Sequence, residues 1–260
     1  MRVVLLSVFL GLAAWFTFFQ DATASAMTQR AVDVFEDRPV RTLLIVGNSR
    51  TFYNNMPAML RALSASPESK VKIEVETVTS AGATFEKHAS DGRAIRLLGR
   101  GWDDVILQGE SGAQSRRETA EYFVRYGPRL AQAAAVREGR PTLLVNWPYD
   151  RSIFEGYGEY DRGEHLAFLH EVHARVASEG KLDRINLGAL WESLRLANPD
   201  VALTTDGNHP SVAGSYLYAL VVYKHVTGAD VTPLKYAPDE LDPAVAASFR
   251  EAVDAFPVTI

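Results

Sequence analysis

The sequence contains no cysteine. Disulfides, thiolate metal sites, a thiol nucleophile and a lipidated N-terminal cysteine are therefore excluded. Positive charge is also scarce: 27 Lys and Arg stand against 32 Asp and Glu, a net charge of -5. That balance gives no electrostatic footprint for nucleic acid. No block of five like charges offers a charged interaction tail. No internal repeat, low-complexity segment or Gly/Ser linker divides the chain.

What is present is apolar material: 47% of 260 residues, ample for one sizeable core. The N-terminus has its own pattern. Arg2 precedes an uncharged stretch from Val3 to Gln20, and "DATASA" follows. A basic start, an apolar middle and the small-residue site Ala24-Ser25-Ala26 read as an export signal spanning residues 1–26. The apolar stretch approaches the ~18 residues of a membrane span, so an uncleaved anchor formed by residues 3–20 is the rival reading. A polar lead-in (27–40) comes next, and residues 41–257 carry the pattern of a folded domain.

Within that domain, strand-like runs alternate with helix-length segments. "TLLIVG" (42–47), "VKIEVETV" (71–78), "DVILQ" (104–108), "PTLLVNW" (141–147) and "RINL" (184–187) read as strands. Helical patterns occupy 57–65, 119–138 with an interruption near Gly127-Pro128, 163–180 and 210–228. The alternation predicts crossover connections, a parallel sheet and a three-layer α/β/α domain. Ligands of such sheets bind outside the carboxyl ends of the strands. Ser49, Gly82 and Gln108 follow or end the first three strands and so share one predicted edge.

Two stretches carry candidate chemistry. In "LLIVGNSRTFYNN" (43–55) a buried-type strand runs directly into Gly47-Asn48-Ser49. In "TTDGNHPSVAGSYLYA" (204–219) Asp206 and His209 stand just before a helix. A carboxylate three residues from a histidine can orient the imidazole, which can take the proton of a serine hydroxyl. Each residue also has a structural reading. Ser49 suits a helix N-cap, Asp206 a turn, and His209-Pro210 a helix entry. Their common edge favours the chemical reading.

Here the sequence resembles the SGNH hydrolases, also called GDSL-like esterases and lipases. The resemblance implies a flavodoxin-like parallel five-stranded sheet. "VGNSRT" is similar to the family's Gly-Asp-Ser block and carries the nucleophile role to Ser49. "TSAGAT" is similar to the block whose glycine N–H holds the oxyanion, which points to Gly82. "DGNHPSVAGSYLYA" matches Asp-x-x-His-Pro, giving Asp206 and His209. Two departures are visible: Asn48 replaces the aspartate of the first block, and "ILQGESGAQS" lacks the asparagine of the third. Gln108 offers the same amide one methylene further out, and "QGES" resembles the corresponding stretch of sialate and xylan acetylesterases, where Gly112 here replaces an asparagine. The implied oxyanion set is Ser49, Gly82 and Gln108, with Asn146 the next amide to consider. Gln108 could instead tie neighbouring loops together, and Glu110 could pair with an arginine.

The remaining histidines suggest no metal centre. "HEVH" (170–173) is one residue short of the His-Glu-x-x-His spacing, and the helix carrying His165, His170 and His173 reads as an amphipathic surface. His88 and His225 have no partner legible in the sequence. Trp147, Tyr149, Phe154, Tyr157 and Tyr160 either line a sugar or acyl subsite or pack a surface loop. The reading is an exported serine esterase, with no cofactor, metal or nucleic acid. It would act on short acyl esters, acetyl on carbohydrate being favoured by the resemblance. An acyltransferase on the same triad and a non-catalytic carbohydrate-binding or assembly protein are the alternatives. Oligomeric state is not legible.

The export reading has a direct test. N-terminal sequencing of protein recovered from an exporting host is expected to begin at Met27. An intact N-terminus confined to the membrane fraction identifies residues 3–20 as an anchor instead.

Overall fold

Eight consecutive residues, Val40–Gly47, form strand β1, and its last five are buried. Their side chains alternate between two cores: Leu43 and Ile45 enter one, Leu44 and Val46 the other. A strand apolar on both faces belongs at the centre of a covered parallel sheet. The computed structural model describes residues 38–109, 117–150 and 160–260, and Pro39–Ile260 forms one compact unit.

The sheet adds β2 (Lys72–Thr79), β3 (Asp104–Gln108), β4 (Arg140–Leu144) and β5 (Asp183–Ile185). The order is β2-β1-β3-β4-β5, with every pair parallel. This is the flavodoxin-like doubly wound arrangement, with its switch point between β1 and β3. The sequence-level reading of a five-stranded parallel α/β/α sheet is what the structure contains.

Ten-residue α2 (Met56–Ala65) follows a short α1 (Ser49–Phe52). It shares one core with α7 (Leu187–Ala197), α8 (Val212–Thr227) and α9 (Pro243–Ala255). On the other face lie α3 (Phe85–Ser90), α4 (Gly92–Leu98), α5 (Arg117–Ala135) and α6 (Arg162–Gly180). The helix expected to break near Gly127-Pro128 runs through both residues as α5. Burial of Ala120, Phe123, Leu130 and Ala134 outweighs the one backbone bond that proline removes.

Two strands are shorter than their apolar runs suggest. β4 stops at Leu144, and Val145 N–H instead donates to Ile185 O at 2.9 Å. β5 yields almost at once to α7, a helix the sequence pattern did not disclose. Neither α3, α4 nor α9 was anticipated. The residues around Glu110 and Gly112, as well as Phe154, Tyr157 and residues 1–26, lie outside the described residues.

Two of the helix histidines, His165 and His173, are interior, and His170 is half-buried. His173 is fully buried, with Nδ1 2.6 Å from Leu169 O and Nε2 3.0 Å from Leu144 O. His165 is also buried, with Nδ1 2.7 Å from the Tyr160 hydroxyl. His88 reaches Gly47 O at 2.9 Å, and His225 contacts Thr142 and Thr259 through its two ring nitrogens.

Burial pushes His173 down from 6.5 to about 4, against the two carbonyls, which favour a proton. Above 6.5 the folded and unfolded chains are both neutral at this position. Between 6.5 and about 4 the unfolded chain binds a proton that the folded one refuses. Stability is therefore fully present above that window and is lost as pH falls through it. Denaturant unfolding from pH 7 to 4 is expected to fall less steeply for His173→Leu than for wild type. The difference should approach one proton, about 1.4 kcal/mol per pH unit. Equal slopes would show that His173 does not take part.

Candidate active site

β1 ends at Gly47, and the chain turns at once into α1. A Cβ at Gly47 would stand 2.6 Å from Gln108 Oε1 and 2.7 Å from Thr51 Oγ1. Only glycine leaves that space open. Gln108 Oε1 uses it to accept from the Asn48 N–H at 3.0 Å and from the Thr51 hydroxyl at 2.9 Å.

Asn48 caps α1, its Oδ1 accepting from the Arg50 N–H at 3.1 Å. Its Nδ2 donates to Ala83 O at 3.4 Å. Aspartate could make the first contact but not the second, because a carboxylate has no N–H to give. The departure from the family's first block thus ties the Ser49 turn to the Gly82 turn.

Ser49 opens α1 with Oγ 3.0 Å from His209 Nε2. His209 Nδ1 lies 2.7 Å from Asp206 Oδ2. A carboxylate oxygen only accepts, so Nδ1 carries the ring proton and Nε2 is free to accept from the serine hydroxyl. Asp206 Oδ1 also accepts the backbone N–H groups of His209 at 2.7 Å and Asn208 at 3.0 Å. Burial raises the Asp206 carboxyl, but the His209 ring and these two N–H donors outweigh it and hold it below the ordinary carboxylate value.

The loop carrying Asp206 and His209 closes on itself through Thr205 N–H to His209 O, 2.9 Å. It is held from outside by Arg50, whose side chain is only 1% exposed. Arg50 Nε donates to Asn208 Oδ1 at 3.0 Å and Nη1 to Trp147 O at 2.7 Å. Its guanidinium carbon lies 4.5 Å from the Trp147 ring centroid and 4.9 Å from that of Tyr149. Burial pulls its pKa down to about 10, which still leaves it charged at neutral pH. Asp150 supports the same loop by donating its N–H to Gly207 O at 2.7 Å, while Thr204 and Arg162 bond its carboxylate.

Gly82 lies in the turn after β2 with φ +62, a conformation that favours glycine. Among the described residues, neither its N–H nor that of Ser49 meets a hydrogen-bond acceptor. Ser49 is the first residue of α1, where a backbone N–H has no intrahelical partner.

Gln108 makes the loop-tying contacts of its alternative reading. Its side chain is 0% exposed, with Nε2 donating to Gly109 O and, at 3.4 Å, to Asn146 Oδ1. With a backbone carbonyl at one end and a backbone N–H at the other, the amide has one consistent orientation. It faces inward as a brace between the ends of β1 and β3. Asn146, the reserve amide, is buried as well and donates to Gly109 O at 2.8 Å. Of the aromatic cluster, Trp147 is fully buried and stacked on Trp191 at 4.1 Å, so it packs the core. Tyr149 is buried too, and the Tyr160 hydroxyl donates to Tyr149 O at 3.0 Å.

Sequence reasoning missed Arg50 and Tyr53. Nothing in "SRTFYNN" distinguishes a buried arginine from a solvated one. The only clue was its position beside the candidate nucleophile.

Solved structures show the same architecture. A 26% identical SGNH-hydrolase candidate from Slackia heliotrinireducens matches with a TM-score of 0.56, over 71% of this chain and 98% of its own. The chain is a member of the SGNH hydrolase superfamily. A DUF4886 family protein from Bacteroides uniformis shares the fold at TM-score 0.68 and 16% identity, covering 83% of this chain and 94% of that one. An acetylxylan esterase from Geobacillus stearothermophilus does so at 0.55 and 18%, covering 73% and 95%. No protein-family model and no curated protein matches the sequence. No helix among the described residues of this SGNH-type chain is long and apolar enough to cross a membrane.

Gln108→Ala leaves the buried Asn48 N–H without its acceptor, a loss of about 1–3 kcal/mol in unfolding free energy. Denaturant unfolding is expected to show that loss, and ester-hydrolysis kcat should fall with it as the Ser49 turn loosens. Unchanged stability with a 10²-fold lower kcat, the order expected for one lost oxyanion donor, would return Gln108 to that role.

Proposed function

We propose that the protein is an exported serine esterase that removes short acyl groups, acetyl above all, from a carbohydrate ester. The observation that carries this reading is the continuous hydrogen-bond chain from Ser49 Oγ through His209 to Asp206. In that chain the proton on Nδ1 and the bare lone pair on Nε2 are those of a general base awaiting the serine proton.

Ser49 Oγ attacks the ester carbonyl as its proton passes to His209 Nε2. Asp206 holds the imidazole tautomer and balances the imidazolium that forms. Negative charge gathers on the former carbonyl oxygen and is received by the N–H groups of Ser49 and Gly82, which have no other acceptor among the described residues. The tetrahedral species collapses, and the departing alcohol takes its proton from His209. Water then enters through the same base, breaks the acyl–Ser49 bond and restores the hydroxyl.

An acetylxylan esterase stands among the proteins of similar fold. Phe52 and Tyr53, next to the nucleophile, are partly exposed and stacked on each other at 6.3 Å. Flat aromatic surface beside a half-buried histidine suits a sugar ring. Export rests on the basic, apolar and small-residue pattern of residues 1–26.

A fluorophosphonate probe is expected to label Ser49 alone, with labelling and chromogenic acetyl-ester hydrolysis both lost in Ser49→Ala. His209→Ala should lose both as well, because the hydroxyl then has no base. Labelling that persists in Ser49→Ala would overturn the proposal.

A further inference from the structure

Tyr53 lies flat against His209, with ring centroids 4.2 Å apart and planes within 9° of parallel. The chain reaches this position through an unusual backbone. Asn54 and Asn55 both adopt left-handed conformations, φ 50 and φ 52. Two adjacent non-glycine residues in that region are strained, and they persist only where surrounding contacts hold them.

Those contacts are present. Asn54 Nδ2 donates to Pro210 O at 2.8 Å and to Ser215 Oγ at 2.9 Å. Ser215 Oγ in turn donates to Tyr53 O at 3.3 Å. The turn bearing Tyr53 is thus fastened to Pro210, which directly follows His209, and to Ser215 in the first turn of α8. One short segment, Ser49 to Asn55, supplies both the hydroxyl that His209 would deprotonate and the ring that covers its face.

The stack bears directly on the chemistry. When the serine proton moves to Nε2, His209 becomes a cation lying on the electron-rich face of Tyr53. A cation over an aromatic face is attracted by the ring quadrupole, and neutral imidazole gains much less. The other charged groups near His209 are already committed. Asp206 bonds Nδ1, and Arg50 is engaged with Asn208 and Trp147. We propose that Tyr53 is a positioning residue that acts through its π face to stabilise the His209 imidazolium formed during acyl transfer. This rests on the serine-esterase reading.

The effect belongs to the transition state, so it should appear in kcat and not in KM. Tyr53→Phe keeps a ring face and is expected to stay within about threefold of wild type. Tyr53→Leu should lose about three- to tenfold in kcat, the range of one exposed to partly desolvated cation–π contact. The deciding series installs phenylalanine, difluoro-, trifluoro- and pentafluorophenylalanine at position 53. Shape is nearly constant along it, while the negative charge of the ring face is steadily withdrawn.

A stepwise fall in kcat with fluorination, at constant KM and melting temperature, supports the inference. Equal kcat across the series overturns it, as does a loss confined to KM. Wild type and Ser49→Ala are assayed alongside. Hydrolysis that survives in Ser49→Ala sinks the serine-esterase reading and the inference with it. Ser49-dependent hydrolysis with a flat fluorine series sinks the inference alone.

Discussion

The carbonyl oxygen of one buried amide decides where the candidate nucleophile stands. Gln108 reaches from the end of β3 across to the end of β1, where its Oε1 takes the Asn48 N–H and the Thr51 hydroxyl together. A backbone N–H sealed from water must find an acceptor, and leaving it unpaired is costly. That requirement fixes the turn between β1 and α1. It also dictates Gly47, because any side chain there would collide with the oxygen that makes the bond. His88 completes the support by holding Gly47 O from the other side.

The second half of the site is a loop that cannot position itself. Residues 204–210 have no strand or helix of their own, so their placement depends on bonds to neighbours. Arg50 and Trp147 hold Asn208, Asp150 holds Gly207 and Thr204, and Arg162 joins Asp150 to Glu192 of α7. Arg50 stands next to Ser49 in sequence, so the residue that fixes the histidine loop moves with the hydroxyl it must meet. A buried arginine without a directly bonded carboxylate is costly. Two aromatic faces and the Trp147 carbonyl offset part of that cost.

The fold was legible because parallel α/β sheets announce themselves through short apolar strands separated by helix-length segments. Runs such as Leu43–Val46 are apolar on both faces and read the same way in sequence and structure. What escaped was set by tertiary contacts. Pro128 reads as a break, yet it sits inside α5 because the burial of that helix overrides a local preference. α7 begins so soon after Ile185 that no turn signal separates strand from helix. In the candidate site, Ser49, Asp206 and His209 were visible as residue types with a known chemistry and spacing. Gln108 was visible as an amide on the right edge, but its direction depends on Asn48, Gly109 and Asn146, none of which its own position in the sequence reveals.

The two departures from the family pattern can then be understood together. Asn48 in place of aspartate removes a negative charge from beside the candidate nucleophile and supplies the N–H that reaches Ala83. That bond tethers the Gly82 turn to the Ser49 turn, so the two N–H groups that meet no acceptor among the described residues are held by one side chain. Gln108 supports Asn48 from beneath through the backbone. With Gln108 occupied as a brace, the side-chain donor expected from the third strand is missing from the described part of this edge. In the proposed mechanism, backbone donors at Ser49 and Gly82 then receive most of the developing charge. For such a site, fixing the two turns relative to each other matters more than adding a third donor, because preorganised dipoles act only when they need not move as charge develops.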